Sequence, residues 1–432
     1  MTEIASGQTA YGSTTRDDAK LKRIRDTMAA RRSRTARLKV YGIIAIVFAL
    51  SMLGILIASV ISTSLTAWTQ TQVLLDVSVP ATVDGEDLPS PSSLIDDSVL
   101  SLFPPSEERT ATRATTAIVS DGAQYYLRDI LAARAATDAT VLSIWVPVTD
   151  PYEQLYEGVI DPSLPENRRP LNDAQIERFD QLEQAGRIRS IVDWNLWTGG
   201  DSRFPELAGL WGAIVGSFYL LVVCAALSIP LGIGAAIYLE EYAPKNKLTD
   251  FIEINVNNLA AVPSIVYGLL GLSLFLGFLG MPRSAPLVGG MVVALMTLPT
   301  IIITTRSALK AVPPSIREAA RGIGASNMQV TFHHVLPLAL PGILTGVIIG
   351  MAAALGETGP LLLIGMNAFI TSAPDTLLSP STTLPTQIYI WFDSPERGFV
   401  ARTSAGICVL LVFLTVMNLT AILLRRRFER RW

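Results

Sequence analysis

Four long stretches of this chain carry no charged side chain: residues 40–61, 207–239, 254–281 and 403–424. The hydrocarbon core of a bilayer is about 30 Å thick, and a helix needs about 20 apolar residues to cross it. Each stretch is long enough, and a helix satisfies its own backbone polar groups in lipid. Two further apolar runs fit near 286–304 and 342–364. The pattern therefore predicts six spans. The first run is about twice the length of a signal-peptide core and reads as an uncleaved anchor.

Between the first two runs the pattern changes. Pro89-Ser90-Pro91-Ser92-Ser93 and Pro104-Pro105 predict loops. Residues 124–136 and 174–185 predict helices, and 141–148 predicts a strand or a buried helical turn. Residues 62–207 are enough chain for a small folded domain.

Composition agrees with the spans. The chain is 50% hydrophobic and 16% charged, against about 25% charged in soluble proteins. Its net charge of −3 hides a strong asymmetry. Residues 1–39 hold ten Lys/Arg and four Asp/Glu; residues 62–207 hold ten Arg, no Lys and 23 Asp/Glu; the tail after Leu424 holds five Arg and one Glu. The positive-inside rule then places both termini in the cytoplasm, as an even number of spans requires. Loops 240–253 and 305–341 fall on the same side, where Arg306, Lys310, Arg317 and Arg321 belong. The expected organisation is a basic cytoplasmic tail (1–39), a first transmembrane helix (40–61), a periplasmic domain (62–207), a five-helix core (208–425) with the cytoplasmic loop 305–341, and a basic tail (426–432). The segment 17–39 predicts a helix held near anionic lipid by its basic residues. The acidity of 62–207 disfavours capture of a free anion there, and docking or structure is the simpler role.

Cys224 and Cys408 both fall inside predicted spans and read as small apolar core residues. His333 and His334 are the only histidines. Adjacent helical positions diverge by about 100°, which makes a poor metal pair. Arg283, in a short external turn, reads as a solvated loop residue. No metal or catalytic residue set is expected.

The loop between the fourth and fifth spans carries the most specific signal. Ser315 and Glu318 predict a capping box that starts a helix. Gly322 and Gly324 suit its end. Ser326 and Gln329 repeat the box and predict a second short helix, after which Leu336-Pro337 leads into the fifth span. Two short helices with a glycine bend would present a rigid lever to a soluble partner.

At Glu318, Ala319, Ala320, Gly324, Leu336 and Pro337 this loop resembles the coupling motif of ABC importer permeases, departing from it at His334, where the motif has Ile. The resemblance implies that Arg317, Glu318, Ala319, Ala320, Gly324, Leu336 and Pro337 couple the membrane helices to an ATPase subunit. Two more stretches resemble the phosphate branch of that family, PstA: 258–268 (NLAAVPSIVYG) and 355–362 (LGETGPLL). The likeness covers roughly residues 210–424, and the N-terminal extension resembles an extended subset of that branch. It implies an all-α polytopic membrane protein with six transmembrane helices, an ABC importer (MetI-like) permease core and an extracytoplasmic α/β or mixed insert, in the bacterial inner membrane. The implied function is the permease subunit of an ATP-driven phosphate importer. A permease for molybdate or sulfate, or a membrane scaffold for phosphate signalling, are the alternatives.

The chain has no Gly-x-x-x-x-Gly-Lys-Ser/Thr loop for nucleotide phosphates. ATP and Mg would therefore be bound by a separate subunit, and no cofactor is expected here. The resemblance implies a sibling permease (PstC-like), two ATPase subunits (PstB-like), a periplasmic phosphate-binding protein (PstS-like), a regulatory protein (PhoU-like) and membrane lipid as partners, and no nucleic acid. It also points to Glu357, Thr358, Ser264 and Tyr267 as translocation or gate residues. Glu357 is the only charge between Leu336 and Pro374. An ionisable group within a span faces a bundle interior or water. A carboxylate does not bind phosphate without an intervening cation, so Glu357 fits a gate or an ion pair. Related sequences often carry Arg one turn earlier. This chain has Ala353 there, so a pairing Arg would come from the partner permease.

Overall fold

The computed structural model describes residues 11–80, 89–104, 109–133 and 140–428. It divides into two bodies, Met1–Ser62 and Thr63–Trp432. The described part of the first body is one helix, which runs Tyr11–Ser64. The basic segment 17–39 and the apolar run 40–61 are thus continuous, with no proline to interrupt them. A helix that is apolar all round, as over 40–61, needs lipid about it.

The second body opens with the insert. Its three strands are β1 (Thr69–Val79), β2 (Thr140–Pro147) and β3 (Ile188–Val192), antiparallel in the order β2-β1-β3. In β1, Val73, Leu75, Val77 and Val79 alternate onto the buried face, as the two-residue period of a strand dictates. The register sets Val73 opposite Val146 and Leu75 opposite Ile144. The run 141–148 is therefore a strand. Helices Pro91–Ser101, Ala123–Ala133 and Asp173–Gln184 cover this face with Leu94, Val99, Leu127, Phe179 and Leu182.

The expected loop 89–93 is half wrong. Pro91-Ser92-Ser93 form a first helical turn, because Ser90 accepts from Ser93 N at 3.2 Å and Pro91 presets the backbone at N1. The helix expected at 174–185 is Asp173–Gln184, started by an Asn172–Gln175 capping box. The helix expected at 124–136 is Ala123–Ala133; residues 134–136 lie outside the described residues, as do Pro105, 1–10 and 429–432.

Among the described residues, five helices are long and apolar enough to cross a membrane. A sixth span requires counting Lys247–Leu259 and Ser264–Phe278 as one, although they meet at 100°. The span expected over 254–281 is thus broken. Pro263 has no N–H to give and disfavours helical backbone at Val262. The fourth span extends beyond 304 as Pro286–Lys310. The fifth, expected over 342–364, begins earlier, as the continuous helical run Asn327–Gly356, and breaks at Glu357-Thr358 before the short helix Gly359–Leu363. Trp211–Ile237 and Pro286–Lys310 pack closely: a Cβ on Gly290 would lie 2.5 Å from Val223 Cβ, the close approach that small residues permit in membranes. The last helix, Gly398–Phe428, meets the insert at its N-terminal end, where Gly398 N donates to Asp150 Oδ2 at 3.0 Å and Arg402 pairs with Asp193.

Candidate coupling and translocation site

The candidate coupling helix is Pro314–Gly322. Its N-cap is Pro313, with no side-chain cap. The expected Ser315–Glu318 capping box is absent, because the Pro-Pro pair starts the helix two residues earlier and puts Ser315 inside it. The helix turns sharply at Gly324, whose φ of +88° suits glycine. The Ser326–Gln329 box does form: Ser326 Oγ accepts from Gln329 N at 3.3 Å, and Gln329 Oε1 from Ser326 N at 2.9 Å.

Beyond this box there is no second free helix. Asn327–Gln329 runs through a π-helical segment, Val330–Val335, into Leu336–Gly356. Pro337 lacks the N–H that an α-helical ladder needs, and a π-bulge is a common local remedy.

Burial sorts the candidate coupling residues. Ala320 is buried among Ile237, Leu309, Val312, Val335 and Ile343. Glu318, Ala319 and Gly324 are exposed, while Leu336 and Pro337 are half-buried. Arg317 is the anchor. Its Nη2 donates to Glu241 Oε1 at 2.7 Å and to Leu309 O at 2.9 Å, and its Nη1 to Val312 O at 2.7 Å. The loop is thereby tied to the ends of the second and fourth spans. Pairs Arg306–Glu253 (2.8 Å), Arg306–Glu240 (3.5 Å) and Lys310–Glu240 (3.6 Å) extend the tie. Sequence reasoning used Arg306 and Lys310 only to orient the chain, named Arg317 as a coupling residue without its anchoring contacts, and missed Glu240 and Glu241. Their signal was their place directly after the charge-free run 207–239. Beside the loop, Ala308, Val312, Ile316, His334, Pro337 and Leu338 line an apolar groove of about 690 Å³.

The second set of candidates gathers at the broken helices. Tyr267 is buried, and its hydroxyl donates to Leu259 O at 2.8 Å across the bend. Ser264 is half-buried in the first turn beyond Pro263. Glu357 and Thr358 are the two non-helical residues between Gly356 and Gly359, both half-buried. The Glu357 carboxylate has no hydrogen-bond or ion-pair partner among the described residues. Helix Ser264–Gly271 packs on Gly359–Leu363, and a Cβ on Gly268 would lie only 2.7 Å from Pro360 Cα. The stretches 258–268 and 355–362 are therefore in contact. They lie apart from the candidate coupling residues: the helix Leu336–Gly356, about 30 Å long at 1.5 Å per residue, separates the two groups.

Residues 228–432 match the family described as "Binding-protein-dependent transport system inner membrane component", and 25–166 match a domain of unknown function, DUF3333. Among curated relatives, the "Probable ABC transporter permease protein YqgI" of Bacillus subtilis is 31% identical over 248 residues, covering 54% of this chain and 83% of that protein. The "Phosphate transport system permease protein PstA 1" of Mycobacterium tuberculosis is 33% identical over 224 residues, covering 52% and 72%. The chain belongs to this inner-membrane component family. Among solved structures, a chain of the MetNI methionine ABC transporter aligns at 17% identity and a TM-score of 0.41, covering 51% of this chain and 98% of that one. As a member of the permease family, the chain is a multi-pass inner-membrane transport subunit and not an enzyme.

Proposed function

We propose that the chain is the permease subunit of an ATP-driven phosphate importer, forms half of its translocation pathway and couples that pathway to an ATPase subunit. One observation carries this reading. The two stretches that resemble phosphate permeases, about ninety residues apart in sequence, meet at Gly268 and Pro360, at one end of the helix whose other end bears the coupling loop. The relatives named as phosphate transport permeases supply the substrate. Both termini and loop 305–341 lie in the cytoplasm, as the excess of basic residues supports. Arg317, Glu318, Ala319, Ala320, Gly324, Leu336 and Pro337 form the docking element for a PstB-like ATPase, which binds ATP and Mg. Glu357, Thr358, Ser264 and Tyr267 lie at the gate. Ala353, one turn before Glu357, is exposed, which leaves room for an Arg from a PstC-like sibling. A PstS-like binding protein delivers phosphate, and a PhoU-like protein reads the state of the complex.

The test is uptake of labelled phosphate by cells lacking this chain. The intact chain restores uptake, and Glu318→Arg, inserted at normal abundance, does not. Excess molybdate or sulfate leaves uptake unchanged. Competition by either oxyanion would reassign the substrate. A chain that purifies alone and transports without ATP would overturn the coupling reading.

A further inference from the structure

Four of the seven tryptophans stand at one junction, where the sheet domain meets the apolar helices. Trp68 closes the turn Leu65–Trp68, at the end of the candidate span Thr35–Trp68. Trp211 is the first residue of the next candidate span, Trp211–Tyr242. Trp194 and Trp197 belong to the turn after β3, and the rings of Trp68 and Trp197 lie 5.6 Å apart. Trp194 is 68% exposed, Trp197 38% and Trp211 48%.

This turn is fixed at the level of the span ends. Trp211 N donates to Gly199 O at 3.1 Å, Leu210 N to Leu196 O at 2.8 Å, and Gly199 N to Asn195 O at 2.7 Å. Leu196 is fully buried and pins the turn from within. Its outward side chains are Val192, Trp194, Trp197 and Thr198, none of them charged. The one charge in the segment, Asp193, is buried and paired with Arg402.

That edge contrasts with the rest of the insert. Residues 62–207 carry 23 acids against ten arginines, so most of their surface is repelled by anionic headgroups. Exposed apolar and indole groups suit the boundary between hydrocarbon and water, because the ring is apolar and its N–H finds a polar partner there. We infer that the Val192–Thr198 edge is a lipid anchor that seats the insert on the headgroup region of the bilayer, with Trp194 and Trp197 as its immersed residues. The anchoring holds whichever side of the membrane the insert faces, and it is independent of the substrate.

The experiment places the full-length chain in nanodiscs, alone and co-purified with its partner subunits. One set contains phospholipid brominated near the headgroup and another phospholipid brominated near the acyl terminus. The Trp194 and Trp197 signal is the emission of the intact chain minus that of Trp194→Phe/Trp197→Phe, a variant accepted only if its melting temperature is unchanged. A blue-shifted difference emission is expected, quenched more by shallow than by deep bromine, with and without partners. A water-like emission that neither lipid quenches would overturn the anchor. Quenching that disappears when partners are bound would assign this edge to a protein contact instead. A single variant, Trp194→Phe, guards against misfolding of the double one and should lose part of the same quenched signal.

Discussion

Arg317 satisfies two backbone carbonyls and one carboxylate with a single guanidinium, and the helix Pro314–Gly322 sits where those three acceptors put it. Its side chain and that of Glu241 are both largely buried. Removing one partner of a buried pair is costly because the other charge stays behind. Arg317→Ala is expected to weaken the seat of the loop by roughly 3 kcal/mol, the low end of that range. Hydrogen exchange of 314–335 in the membrane should accelerate, and Arg317→Ala/Glu241→Ala should recover part of the loss. Equal acceleration in both variants would mean that the pair does not hold the loop. Gly268 makes the opposite kind of demand. A methyl group there meets Pro360 Cα at 2.7 Å and Leu363 Cδ1 at 2.9 Å. Overpacking typically costs about 1–3 kcal/mol. Gly268→Ala should lower the melting temperature in detergent and cut phosphate uptake at normal membrane abundance, and Gly268→Val should do more of both.

At the level of elements, the bend between Lys247–Leu259 and Ser264–Phe278 falls at Pro263 and is bridged by the Tyr267 hydroxyl, which donates to Leu259 O. Leu259 O keeps a second donor in Val262 N at 3.1 Å. Tyr267→Phe should therefore cost only about 1 kcal/mol, the net worth of one hydrogen bond. It should show as faster exchange at 260–262 with the spans unaffected; unchanged exchange there would mean that the ring, which Phe keeps, and not the hydroxyl sets the bend. How far such elements can be read from sequence depends on the range of the forces that shape them. The apolar runs were legible because crossing lipid depends on length and hydropathy alone, and the Ser326–Gln329 box because capping is local. Ser315–Glu318 looked identical, yet the two preceding prolines fix the helix start first. The bend at Pro263 was visible as a proline inside a span, but its 100° angle was not, because packing decides whether a proline kinks a helix or breaks it. The contact of Gly268 with Pro360 left no local trace, and the place of Glu240 and Glu241 after a charge-free run did not name their partners, both being tertiary in origin.

Across the whole molecule, the insert is joined to the last helix through a seam unusually rich in buried acid. Arg402 pairs with Asp193 and also reaches Ala67 O. Close by, Glu153 accepts from Thr71 N at 3.1 Å and Glu157 from Thr69 Oγ1 at 3.2 Å, while Glu206 is buried beneath Ser120. Desolvation pushes Glu153 up to about 8 and Glu157 and Glu206 up to about 7; neighbouring carboxylates add to the rise, and Arg402 opposes it. All three bind protons more tightly folded than unfolded. Between the usual glutamate range and about 8 the folded state therefore holds more protons, and stability falls as pH rises. The stabilisation is complete at acid pH and lost once the pH has passed through about 7 and then about 8. Melting of the full chain in nanodiscs should thus decline from mildly acid to mildly alkaline pH, with hydrogen exchange at β1 and β3 rising in step. Glu153→Gln keeps an oxygen to accept from Thr71 N and removes the proton that titrates highest. It should flatten the upper part of that decline and leave acid stability intact. An unchanged slope in Glu153→Gln would locate the titration elsewhere. A melting temperature that rises with pH would mean that Arg402 outweighs desolvation and keeps these acids charged in the folded seam.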